Sequence, residues 1–283
     1  MKRIVLILIG LFAVSAFVVH SVRAQTETPP AGPLGQVSGT VTNRNTGKTV
    51  AESLDVMLHV LDLNYTDKDM IHGKSQADGT FLFTDVPFNS DTQFAVMATF
   101  DGVTYYSDTA PADMGSLKLG IDVPVYETTN DLVNVQVDQM HVLFDFSTDG
   151  LETKELYIIS NRGERTVKDV YDLGDNKFAA LELPLPKDAD YVFFQPEDKD
   201  RFVKQTAAFV DTYPILPGSQ SAQIMVSYLV PYFGERMYTY TAPVNIARMN
   251  FVLPGDANIS LTGSGVSGPE AITLKNNQSS MVY

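Results

Sequence analysis

Leu117-Lys118-Leu119-Gly120-Ile121-Asp122-Val123-Pro124-Val125 carries an apolar side chain at every odd position, with a charged residue, glycine or proline between. Successive side chains of an extended chain point to opposite faces, so this stretch turns one face to a core and the other to water. The same period of two continues on both sides of it. Towards the N-terminus it recurs in Val37, Gly39 and Val41, in Val56, Leu58 and Val60, in Phe81 and Phe83, and in Phe94, Val96, Ala98 and Phe100. Towards the C-terminus it recurs in Met140, Val142, Phe144 and Phe146. Further strands are expected at 156–160, 178–183, 191–194, 207–210, 224–230 and 250–253. Turn signals separate the runs. Asn45-Thr46-Gly47, Asp78-Gly79, Asp101-Gly102, Asp149-Gly150 and Gly174-Asp175-Asn176 all hold residues that accept positive φ. No window of ten residues shows a helical period. The fold class expected is all-β, with two consecutive β-sandwich domains.

Composition sets the outer limits. Of 283 residues, 44% are hydrophobic and 19% charged, enough apolar material for real cores. There is no cysteine, which excludes disulfides, thiolate chemistry, iron–sulfur clusters and a lipid-modified cysteine anchor. Lys and Arg number 20 against 34 Asp and Glu, a net charge of −14. Nucleic-acid binding needs a basic footprint and is therefore excluded as a reading.

The first 24 residues read as a signal peptide. Lys2 and Arg3 precede an apolar run from Ile4 to Val19, and Val22 and Ala24 are the small residues before a cleavage point at Gln25. The run is shorter than the ~20 residues of a spanning helix; an uncleaved anchor is the alternative. Residues 1–24 hold Lys2, Arg3 and Arg23 and no acid, so the exported chain is more acidic still. An exported chain without cysteine relies on core burial alone, which fits a bacterial envelope. Residues 25–35, with Pro29, Pro30, Pro33, Gly32 and Gly35, read as an extended linker. The first sandwich is expected at 36–126 and the second at 130–254, divided by Pro124 and the polar stretch 127–131. Residues 255–283 read as a Gly/Ser-rich tail. Its last residues, Ser280-Met281-Val282-Tyr283, look like a returning strand cut short. That points to a fragment of a longer chain, with further strands and a C-terminal membrane anchor.

Gly35-Gln36-Val37-Ser38-Gly39-Thr40-Val41-Thr42-Asn43 followed by Gly47, then Ala77-Asp78-Gly79-Thr80-Phe81-Leu82-Phe83, Val86-Pro87 and the closing stretch 94–106, resembles the carboxypeptidase regulatory-like domain. The resemblance covers 35–125. It implies a transthyretin-like (prealbumin-like) sandwich of about seven strands. Such domains are non-catalytic and accompany peptidases, outer-membrane receptors and adhesins of the envelope; they are grouped with carbohydrate-binding-like folds. The loop expected at 64–73 is longer than this pattern needs. Gly39 in the first strand marks a bulge or a close approach.

The chemistry-bearing motifs are weak. No HExxH and no GxSxG occurs. Gly263-Ser264-Gly265 lies in the expected tail. Thr46-Gly47-Lys48-Thr49 mimics the end of a P-loop, but Thr42 stands where the first glycine belongs. His59 and His141 oppose apolar strand faces, and His72 falls in the expected loop. Asp62, Asn64, Asp67 and Asp69 form an oxygen-rich stretch with some capacity for Ca²⁺, without EF-hand spacing; Glu197, Asp198 and Asp200 form a second acidic group. Tyr105, Tyr106, Tyr232, Tyr238 and Tyr240 are the aromatic faces available for stacking on sugars, in a chain with no tryptophan. No residue set calls for a cofactor. The expectation is an exported, non-catalytic envelope module whose partner is another envelope protein or a glycan; the alternative is a carbohydrate-binding protein using exposed tyrosines. Membrane association would run through an uncleaved N-terminus or the missing C-terminal anchor.

Overall fold

The computed structural model describes residues 32–198, 200–256, 259–273 and 279–283. The expected leader at 1–24 and most of the linker lie outside them. Strands dominate. Among the described residues there is no α-helix, only a single 3₁₀ turn at Pro196–Asp198, and no helix long and apolar enough to cross a membrane. The chain is all-β, with strands stacked around two hydrophobic cores.

The first core lies between two sheets. In one, β1 (Leu34–Asn43) is the hub. With β2 (Asp55–Leu61), β3 (Asp67–Lys74) and β4 (Thr80–Pro87) following, β1 pairs antiparallel with β4, Gly39 opposite Phe81. The chain continues through β5 (Gln93–Phe100), β6 (Val103–Tyr106), β7 (Lys118–Gly120) and β8 (Val123–Val125). Strands β7 and β8 return parallel to β1, Val37 opposite Leu119 and Val41 opposite Val123. The facing sheet runs β3-β2-β5-β6. Its inward Leu58, Phe94, Val96 and Ala98 are fully buried, as are Val37, Val41 and Val123 across from them. Asp101 and Gly102, both at positive φ (49° and 72°), close β5 onto β6 as a primed hairpin turn requires.

Two expectations are corrected here. The stretch 64–73 is not a long loop: Asp67–Lys74 is a strand, with His72 opposite Met57. It lies at a sheet edge and is exposed along most of its length, so it has no apolar alternation to read. Leu34 and Gly35, expected in the linker, pair with Pro87 and Val86.

The second core is built on an eight-stranded sheet. Its members are β9 (Val135–Ser147), β10 (Gly150–Asn161), β12 (Asp190–Phe194), β15 (Gly218–Val230), β16 (Met249–Pro254), β17 (Glu270–Thr273) and β18 (Ser279–Val282), with Asn245–Ile246 beside β9. The order is β12-β15-β10-β9-β16-β18-β17. A small sheet of β11 (Leu181–Pro184), β13 (Phe202–Lys204) and β14 (Ala208–Asp211) packs on it. Leu181, Leu183 and Phe209 of the small sheet are fully buried, as are Val137, Met140, Val142, Tyr157 and Ile159 of the large one. The expected tail thus supplies two strands, β17 and β18, to the main sheet.

A bulge between Val137 and Gln139 in β9 moves the inward set from odd to even residues, so Val135 and Val137 give way to Met140, Val142 and Phe144. Side chains join the two cores: the Tyr105 hydroxyl donates to the Tyr126 carbonyl at 2.9 Å and lies 2.9 Å from Thr166 Oγ1. Asn45 Nδ2 donates to the Glu164 carbonyl, and Lys168 donates to the carbonyl of Asp101.

Gly39 is a close approach. A Cβ there would sit 1.8 Å from the Ile121 carbonyl oxygen and 2.8 Å from Phe81. Gly39→Ala is expected to cost about 2 kcal/mol through overpacking. Urea unfolding should show the midpoint falling with an unchanged slope; a midpoint equal to that of the parent would refute the packing assignment.

Candidate functional site

The period of two along β10 turns Leu151, Thr153, Glu155, Tyr157 and Ile159 inward. Four of these suit a core. The fifth is a carboxylate, and Glu155 is 1% exposed. An uncompensated buried charge costs several kcal/mol, so the surroundings of Glu155 decide whether the core holds. They consist of phenols. Tyr157, two residues along the same strand, donates to Oε2 at 2.5 Å. Tyr228 of β15 donates to Oε1 at 2.6 Å. Tyr238, from the irregular segment 231–243, donates to the same oxygen at 2.7 Å. Tyr240 rests its ring near Tyr157, centroids 6.4 Å apart. Burial pushes the Glu155 carboxyl above the usual range, against the opposing pull of the three hydroxyls. Burial, reinforced by the Glu155 charge, pushes the hydroxyls of Tyr157, Tyr228 and Tyr238 upward as well.

A cleft of about 700 Å³ opens on this group. Tyr228 and Tyr238 stand in its wall with Phe144, Phe146, Leu151 and Tyr232. The segment 231–243 borders it as a strap without strand pairing, held by side chains. Arg236 grips Asp188 through two bonds of 2.9 and 2.8 Å and donates to the Pro231 carbonyl. The hydrogen bonding from Arg236 to Asp188 holds that carboxyl below its ordinary range. Tyr238 meets Phe144 and Phe251 edge-on at 6.0 and 5.6 Å, and Tyr232 meets Phe146 at 5.1 Å. The tip of the strap leaves Phe233 93% and Met237 86% exposed.

The five tyrosines named from sequence separate. Tyr232 and Tyr238 line the cleft. Tyr240 is not in the cleft lining and packs against the second core. Tyr106 is exposed on the first sandwich, beside His59. Tyr105 is 1% exposed, so it offers no ring face to a sugar and serves the joint between the two cores. The oxygen-rich stretch is likewise spread out. Asp62 accepts the backbone N–H groups of Asn64 and Thr66. Asp67 faces His59 at 2.8 Å, Asp69 accepts the N–H of Met70, and the Asn64 side chain is exposed. Among the described residues no three metal-ligating side chains gather. In the second acidic group Asp198 pairs with Arg201, which also grips the buried Asp211 through two bonds. Ser160 bonds to Asp138, but it is 1% exposed and its oxygen also accepts the N–H of Gln220, so it braces the bulge.

No protein-family model matches the chain, and no curated protein matches it. The resemblance to the carboxypeptidase regulatory-like domain therefore stands on the quoted residues alone. Among solved structures, the full-length major pilin SpaD from Corynebacterium diphtheriae is similar over 70% of this chain, at 9% identity and a TM-score of 0.26. The chain spans 58% of that pilin's length. At that score neither protein speaks for the other.

The strand expected at 156–160 begins one residue after Glu155 and so leaves the acid outside the expected sheet. The signal was present in the odd positions 151–159, which set a carboxylate among inward residues. Its raised carboxyl makes the linkage sign definite. The folded protein holds this proton more tightly than the unfolded chain. Stability from this group is therefore complete below the ordinary value of 4.5 and is lost as pH rises through the folded value. Glu155→Gln cannot ionise and lacks that decline. Denaturant curves at pH 4 and pH 8 should show the variant gaining on the parent as pH rises. The opposite trend would mean that the three hydroxyls outweigh burial and hold the group as a carboxylate. The lowered carboxyls of Asp138 and Asp188 act with the other sign but are common to both proteins and cancel.

Proposed function

We propose that this chain is an exported, non-catalytic module of the cell envelope, made of stacked sheets that present a contact surface. The observation that carries the reading is the closed set around Glu155. Both carboxyl oxygens accept tyrosine hydroxyls, and the acid is sealed from solvent. The phenols are pushed away from neutral pH, where a general acid or base works best. The group braces the wall of the cleft and holds no free position for a reacting atom. The leader pattern at 1–24, the lack of cysteine and the acidic balance support export and the envelope. The motifs at 35–125 support a non-catalytic first domain of the carboxypeptidase regulatory-like kind.

A second reading has its own observation. Tyr232 and Tyr238 share one cleft with Phe144 and Phe146, and its volume falls within the ~300–1,000 Å³ of small-ligand sites. That favours carbohydrate binding, the apolar face of a sugar lying on aromatic rings.

The purified chain, assayed with panels of peptidase and glycosidase substrates, should turn over none of them above the rate of Glu155→Gln. Turnover by the parent that disappears in Glu155→Gln would overturn the non-catalytic reading.

A further inference from the structure

The cleft is mixed in a particular way. Aromatic and aliphatic side chains share its lining with neutral polar ones such as Thr153, Thr239 and Ser260, and its charged members are Lys187, Asp188, Glu235 and Arg236. Two cations face two anions in a chain whose overall balance is −14. The site therefore lacks the excess of either sign that draws a charged ligand. The Asp188–Arg236 pair is bidentate and partly open to solvent on both sides. Bidentate pairing engages one N–H of each terminal guanidinium nitrogen, and the Pro231 carbonyl takes a second from Nη1. Among the described residues no partner takes the N–H on Nε or the second on Nη2, and the carboxylate has further lone pairs. A donor–acceptor pair held side by side next to an aromatic face matches a ring with vicinal hydroxyls on its rim and C–H groups on its face.

The strands beneath the cleft argue against an extended peptide. Peptides in that form add to a free sheet edge. In the cleft wall Leu151 and Thr153 of β10 are paired on both sides, with β9 and with β15, and β9 lacks a partner on one side only along its short end past Leu143. An added strand would find only that short end of β9, not the long free edge such a peptide follows.

We infer that the cleft binds a neutral sugar ring, with Asp188 and Arg236 clamping adjacent hydroxyls and Tyr232 stacking on its apolar face. This rests on the carbohydrate-binding reading and assigns it to one site on the second sandwich. The ligand class is the neutral glycan; acidic glycans and peptides are the competitors.

The full chain should be applied to an array carrying neutral and acidic envelope oligosaccharides together with peptides, and the retained compounds measured by calorimetry. Retention of neutral glycans is expected, with little change in affinity between low and high salt. Arg236→Ala and Tyr232→Ala should each weaken binding about tenfold or more. Arg236→Lys, which keeps the charge and loses the fork, should weaken it nearly as much. Tyr106→Ala, far from the cleft, should leave it unchanged. Melting temperatures would identify any variant that fails to fold, and Arg236→Lys covers that case. Glycan retention that survives the cleft variants but falls with Tyr106→Ala would overturn the clamp while leaving the carbohydrate reading in place. Retention confined to acidic glycans or to peptides, or none at all, would overturn the inference; the last two would remove the carbohydrate reading as well.

Discussion

A carboxyl held dry by three phenols is the constraint on which the second half of the molecule turns. Glu155 sits where the pleat of β10 demands an inward side chain, and an inward glutamate tolerates few environments. Left alone it would destabilise the core by several kcal/mol. Three tyrosine hydrogen bonds, at about 1.5–3 kcal/mol each to a charged group, offset much of that cost when the group is ionised, and keeping the proton is the alternative that burial favours. The phenols come from three separate places: the same strand, the neighbouring strand, and the strap at 231–243. Hydrogen bonding at Glu155 thus ties distant segments into one arrangement, and the shape of the cleft follows from that tie.

The strap shows the consequence. It has no ladder of its own, and backbone without a ladder holds its place only through side chains. Tyr238 anchors it inward to Glu155, Arg236 anchors it sideways to Asp188, and Val244 buries its end. With these anchors in place the exposed Phe233 and Met237 stand at the tip, beside the cleft. The exposed apolar tip and the buried acid are parts of one arrangement.

Period two was enough to read the architecture. Leu117 to Val125, Val56 to Val60 and Phe94 to Phe100 each turn one face inward as their alternation requires. What failed to show were segments whose environment does not alternate. Asp67–Lys74 is an edge strand wet on both faces, so nothing in its composition separates it from a loop. The last residues do look like a returning strand in the sequence, but the partners of Ser279–Val282, β16 and β17, carry no local signal. The bulge at Asp138 switches the inward set from odd to even, which no local pattern announces. The cleft was half legible. Tyr232 and Tyr238 were named as aromatic faces, but the reason they converge is Glu155, and a lone glutamate at a strand start reads as solvated.

Tyr105 and Tyr238 carry the same side chain to opposite ends, and their surroundings account for it. Tyr105 is inward on β6, at the seam between the cores, where its hydroxyl meets the Tyr126 carbonyl and Thr166. A phenol suits such a seam because the ring fills an apolar volume while the tip satisfies groups that two packed sheets leave bare. Tyr238 meets the same demand at Glu155, but from an irregular segment, so one side of its ring borders open space. The difference lies in the backbone that delivers each ring. A residue locked between paired strands becomes part of the frame, whereas one delivered by a strap keeps a face for contact. By that criterion the strap is the segment that leaves tyrosine rings bordering the cleft.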